Sequence, residues 1–116
     1  MKEEAKYLQV DFSTADAEYP EIIQEDGDVV LRFNDWKDNI IEVFFAESMA
    51  LKWQIAEIFH EGERPDACYE IENSEWLNLH ISQGEASKEE GFKHYKFNFN
   101  GCGQFEILAT GFTKRT

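Results

Sequence analysis

The side chains able to do chemistry in this 116-residue chain are three histidines, two cysteines and an excess of carboxylates. They are densest in GFKHYKFNFNGCGQFEIL, Gly91 to Leu108. A thiol beside an imidazole makes a nucleophile with its base, so His94 and Cys102, with His80 a third candidate, could form such a site. No spacing demands it. Lys93, Tyr95, Phe97 and Phe99 alternate with His94, Lys96 and Asn98, and period two alone puts the latter three on one strand face. NGCG supplies a turn, and Phe105, Ile107 and Ala109 alternate beyond it. The stretch reads as a β-hairpin with Phe97, Phe99 and Phe105 inward, polar residues on its wet face and Cys102 a structural thiol.

HEGERPD places His60, Glu61 and Glu63 close enough to resemble loose metal ligands, but the second histidine of HExxH is missing. A solvated polar loop is the expectation. There is no glycine-rich phosphate loop, GxSxG elbow or paired-carboxylate motif, and GCGQ stands between strands. The reading is therefore no catalytic residues, no cofactor and no metal.

The third group is FNDWKDN. Trp36 falls at a hairpin tip between Asp35 and Asp38, as an aromatic anchor inside an acidic rim would. Asp26, Asp28, Asp35, Trp36, Asp38 and Glu42 are the expected partner-binding residues. The alternative has Trp36 folded back onto the sheet; Trp53 and Trp76 lie in apolar-periodic segments and read as core.

These groups need elements to hold them. YLQVDF, 7–12, reads as a strand, 13–20 as a loop, and EDGD, 25–28, as a turn. VVLRF and IIEVFFA form a hairpin around NDWKDN. Residues 47–59 fit either helix or strand; a helical turn near Glu47–Met49 followed by a strand is favoured. ACYEIE is a short strand. NSEWLNLHISQG fits both periods too, and a helix is favoured, capped by Asn73 or Ser74 and stopped near Gly84. EASKEEG is a loop, and the TKRT tail frays. The sum is one α+β domain, 1–116: a mostly antiparallel β-sheet of meander hairpins with one or two short helices.

Hydrophobic residues make up 42% and aromatics 15% of the chain, enough for a core. The net charge is −13, and the acid lies in the first part: residues 1–75 carry 20 acidic and 6 basic side chains, against 4 and 5 in 76–116. That field repels nucleic acid and anionic membranes and attracts a basic protein. No apolar run approaches a membrane span, and the N-terminus lacks a signal-type stretch. The expected location is the cytoplasm, with Cys68 and Cys102 as free thiols in or near the core.

Through LRFNDWKDNIIEVFFAES, NSEWLNLHISQG and FKHYKFNFNGCGQFEILA, residues 28–112 resemble a class of small acidic bacterial proteins. Some of these have no assigned role, and others are described as immunity proteins of polymorphic toxin systems. The resemblance implies a non-enzymatic partner that blocks a toxin by binding it. The reading is a cytoplasmic protein-binding module, immunity-like, that captures a basic partner. The alternatives are a small-ligand binder or enzyme with a pocket near His94 and Cys102, and a homo-oligomeric structural or regulatory subunit.

Overall fold

The computed structural model describes residues 2–115. Two antiparallel sheets face each other across an apolar core. β1 (Glu4–Tyr7), β6 (Cys68–Glu72), β7 (Lys93–Phe99), β8 (Gly103–Ala109) and β5 (Ala50–Gln54) form the first, in the order β1-β6-β7-β8-β5. β2 (Glu18–Glu25), β3 (Asp28–Asn34), β4 (Ile40–Phe45) and β9 (Thr113–Arg115) form the second, in the order β2-β3-β4-β9. The helix α1 (Glu75–Ser82) and a short 3-10 turn, Lys88–Glu90, lie between β6 and β7. Antiparallel hairpins with a minor helical part are the α+β architecture expected, here divided between two sheets.

Period two builds the core. Val29, Leu31 and Phe33 of β3, Ile41, Val43 and Phe45 of β4, and Phe97, Phe99, Phe105 and Ile107 of the β7–β8 hairpin are buried and face one another. The aromatic rings interlock: Phe33 meets Phe99 at 5.0 Å edge to face, and Phe45 lies 5.7 Å from Phe97 and 5.8 Å from Phe105. Both hairpins stand where the sequence places them.

Four local readings change. The first strand is Glu4–Tyr7 rather than 7–12. Leu8, Val10 and Phe12 do share an apolar face, but they cross onto the core as irregular chain. The loop read over 13–20 ends early, because β2 begins at Glu18 and contains Pro20. Proline fits there because β2 is a sheet edge, its register shifts between Glu18 and Glu21, and Tyr19 takes φ 56°. EDGD closes the β2–β3 hairpin through Asp26 and Gly27, at φ 50° and 88°. The segment after β4 turns at Ala46–Glu47 and then enters β5, so no helix forms there. The tail does not fray through 113–115: β9 pairs with β4 from Thr113 to Arg115. Thr116 lies outside the described residues.

α1 is the predicted helix. The side chain of Ser74 accepts from the Leu77 amide as its N-cap, and Gln83 ends it. Trp76, Leu77, His80 and Ile81 turn toward the protein while the rest of the helix is exposed. No described helix is long and apolar enough to cross a membrane.

Candidate functional site

The second face of the β1-β6-β7-β8-β5 sheet is polar yet dry. His94, Lys96, Asn98, Gln104 and Glu106 are each no more than 5% exposed. The sequence reading gave this face to water, and that is the main correction. Periodicity identifies which residues share a face but not what covers it. Here the cover is α1 at one end and the chain between β5 and β6, residues 55–67, at the other.

The 55–67 chain is held through its backbone. Gln104 clamps both backbone groups of one residue, accepting from Ile58 N at 3.1 Å and donating to Ile58 O at 3.1 Å. Lys96 Nζ donates to Ile58 O at 2.6 Å, and Asn98 Nδ2 donates to Arg64 O at 2.9 Å. At the centre is Glu63, whose side chain has no exposed surface. Its carboxylate accepts from Lys96 Nζ at 3.0 Å, Asn98 Nδ2 at 2.8 Å and the His60 amide at 2.6 Å, with His60 Nδ1 at 2.8 Å. Burial alone would raise the Glu63 pKa; the bonds from Asn98, His60 and Lys96 outweigh it and hold the group below its ordinary value. His60 continues the chain, with Nε2 2.9 Å from Glu3 Oε1. Partial burial opposes its charge, but Glu3 and Glu63 raise its pKa on balance. The loop read as solvated is a strapped one.

Because backbone groups and the Glu63 carboxylate anchor it, the loop's apolar side chains are free to point out. Ile55, Ile58 and Phe59 are 80%, 62% and 42% exposed. A loop seated on an apolar face would have used these residues as its anchors. Exposed Glu57 and Glu61 stand beside them.

Trp36 does not fold back; it is 61% exposed at the β3–β4 tip, and Ile40 is 67% exposed at the start of β4. Both border a groove of about 620 Å³ that also touches Val10, Phe12 and Lys114. The tip is internally braced. Asp35 Oδ1 accepts from the amides of Lys37 at 3.0 Å and Asn39 at 2.8 Å, and Asp38 Oδ1 accepts from Asn34 Nδ2 at 2.9 Å. Desolvation opposes the charge of Asp35, but the Asn39 and Lys37 bonds keep its pKa lowered. The tip and the 55–61 loop emerge at the same end of the sandwich. β3 and β5 both finish there, with Phe33 and Trp53 each packed on Phe99.

The six expected partner-binding residues do not all lie together. Asp35, Trp36 and Asp38 share the tip. Asp26 and Asp28 sit at the other end of β3, roughly 20 Å away at ~3.3 Å per residue. Asp28 accepts from the Glu47 amide at 2.9 Å. Glu42 is held mid-strand by Arg32, at 2.6 Å, with Arg115 at 3.6 Å. The signal for the loop patch was in the sequence, as IAEIF beside HEGE, but strand periodicity put Ile55 with the core residues Leu51 and Trp53.

His94 and Cys102 do not meet. His94 faces α1 on the outer side of β7, near the β6–α1 junction, while Cys102 occupies the turn at the far end of the hairpin. Its thiol points at Ala17 O, 3.6 Å away, on the core side. Cys68 is buried, which pushes its thiol up to about 12 despite a contact with Thr14, so it stays a protonated core residue. His80 bonds Glu85 at 2.8 Å. Trp53 packs against the core, and Trp76 lies instead on the polar face, 5.1 Å from His94 with Lys52 Nζ 4.4 Å over its ring. No family model, curated protein or solved structure matches this chain.

Proposed function

We propose that the chain is a protein-binding module, immunity-like in action, that captures a basic protein partner at the end of the sandwich carrying the β3–β4 tip and the 55–61 loop. One observation carries this reading: buried polar side chains hold the loop by its backbone, leaving Ile55, Ile58 and Phe59 presented to solvent. Rigid presentation of apolar side chains lowers the ordering cost of binding. Ile58 and Trp36 would anchor in apolar hollows of the partner, and Glu57, Glu61, Asp35 and Asp38 would face its basic rim. The remaining acid, Asp26 and Asp28 included, would act at long range by speeding encounter.

The test begins with photo-crosslinkers at positions 36 and 58 in the native host, followed by reconstitution with the captured protein in purified form. Ile58→Asp and Trp36→Ala should raise the off-rate at least tenfold. Charge removal at Asp38 and Glu57 should slow association and flatten its salt dependence. Crosslinks that fall only on a second copy of the chain would favour the homo-oligomeric reading instead. A reconstituted complex indifferent to both Ile58→Asp and Trp36→Ala would remove the proposed surface.

A further inference from the structure

We infer that Ser74, His94 and Glu106 form a nucleophile, its general base and the carboxylate that orients the base, opening on a cavity that takes an ester or similarly activated acyl group. The inference does not depend on the binding surface just described, which uses other residues.

Ser74 Oγ lies 2.7 Å from His94 Nδ1, and His94 Nε2 lies 2.7 Å from Glu106 Oε1. Their exposures are 3%, 3% and 5%. Burial opposes the charge of Glu106, but its bond to His94 and the nearby Lys52 and Lys96 hold its pKa below the ordinary value. An ionised Glu106 accepts a hydrogen bond from Nε2–H, and in the neutral ring that tautomer leaves Nδ1 bare. Bare Nδ1 is then the acceptor for the Ser74 hydroxyl. The order hydroxyl, imidazole, carboxylate is that of an activated serine, with the two ring nitrogens exchanging places relative to the common template. The Trp76 ring, edge-on at 5.1 Å, fixes the imidazole from the side.

A cavity of about 570 Å³ has both Ser74 and His94 in its wall, a size that suits a small ligand. Leu77, Ile81 and Phe92 give it an apolar side for an acyl chain. Ser74 begins α1, so the positive end of the helix dipole lies beside it, shared with the Glu3 carboxylate that accepts from the Glu75 amide at 2.7 Å. Capping explains why Ser74 Oγ accepts from the Leu77 amide at 3.1 Å. It does not explain why the hydroxyl stands against an imidazole backed by a buried carboxylate.

In the reaction, Oγ bonds to the acyl carbon and its proton passes to Nδ1. The ester C–O bond breaks, and the departing alkoxide takes that proton to leave as an alcohol. Water then repeats the sequence on the acyl-serine, releasing a carboxylic acid and restoring Ser74. No electron donor or acceptor is needed.

The test exposes the full chain to a fluorophosphonate probe and to p-nitrophenyl acetate, with the labelled residue located by peptide mass. The expected result is stoichiometric labelling at Ser74. Ser74→Asn, which retains an N-cap side chain, should abolish it with the circular dichroism spectrum unchanged. His94→Gln should slow it by about a hundredfold or more. Glu106→Gln, at a positioning residue, should shift the pH profile of labelling. A folded wild-type chain that takes no label at Ser74, or a label rate unchanged in His94→Gln, would overturn the inference and leave the three residues as a buried hydrogen-bond chain.

Discussion

Glu63 shows how much one side chain holds. It is the acceptor shared by Lys96, Asn98 and His60, and Lys96 itself is only 2% exposed. Glu63→Gln would remove the carboxylate bonded to a buried ammonium and leave Glu106, across the strand pair, as the nearby negative charge; losing one member of a buried pair costs about 3–5 kcal/mol. Urea unfolding should register a loss of that order; a loss below ~1 kcal/mol would mean that Ile58 O alone satisfies Lys96. The same cluster sets the pH response. Glu3, Glu63 and Glu106 have lowered pKa values in the fold, so their contribution is complete above the ordinary value of 4.5 and is lost as pH falls through the lowered ones. His60 is raised, so its contribution is complete below 6.5 and is lost as pH rises through the raised value. The melting temperature should therefore be highest between about pH 4.5 and 6.5, and His60→Gln should flatten its alkaline decline. An identical decline in that variant would assign it to another group.

Among the elements, the strapped loop is the one most open to test. Gln104 bonds both the N–H and the C=O of Ile58 and also Gln54 Nε2, at 3.0 Å. Gln104→Leu keeps the bulk and removes the clamp. Leaving a buried backbone group unpaired costs roughly 1–3 kcal/mol, so amide exchange at Ile58 should accelerate about tenfold to a hundredfold. Exchange in the β3–β4 hairpin should change little. Equal acceleration in both places would mean that the loop opens only with the whole fold. The sequence made the hairpins legible because Val29, Leu31, Phe33, Ile41, Val43 and Phe45 alternate without interruption. It left β2 unread because Tyr19, Pro20 and a bulge break that alternation. It favoured α1 over a strand through a cap at Asn73 or Ser74 and the stripe Trp76, Leu77, His80 and Ile81.

For the molecule as a whole, a net charge of −13 works against self-association, and the edge strand β2 adds Pro20, a bulge and the acids Glu18, Glu21 and Glu25. Sedimentation equilibrium at low salt should show a monomer even at high concentration; a dimer there would favour the homo-oligomeric reading. The sequence by itself determined the antiparallel hairpins, the aromatic core and the acidic balance, because each rests on local periodicity or composition, and it favoured the helix that Ser74 caps. Only the tertiary structure decided that the hairpin's polar face is covered. It also decided that Glu63 and Lys96 share the interior, that Ser74 reaches His94, and that Ile58 faces solvent. Those outcomes depend on which distant segment seats on a face, and a backbone docked by hydrogen bonds to side chains leaves no periodic trace in its own residues.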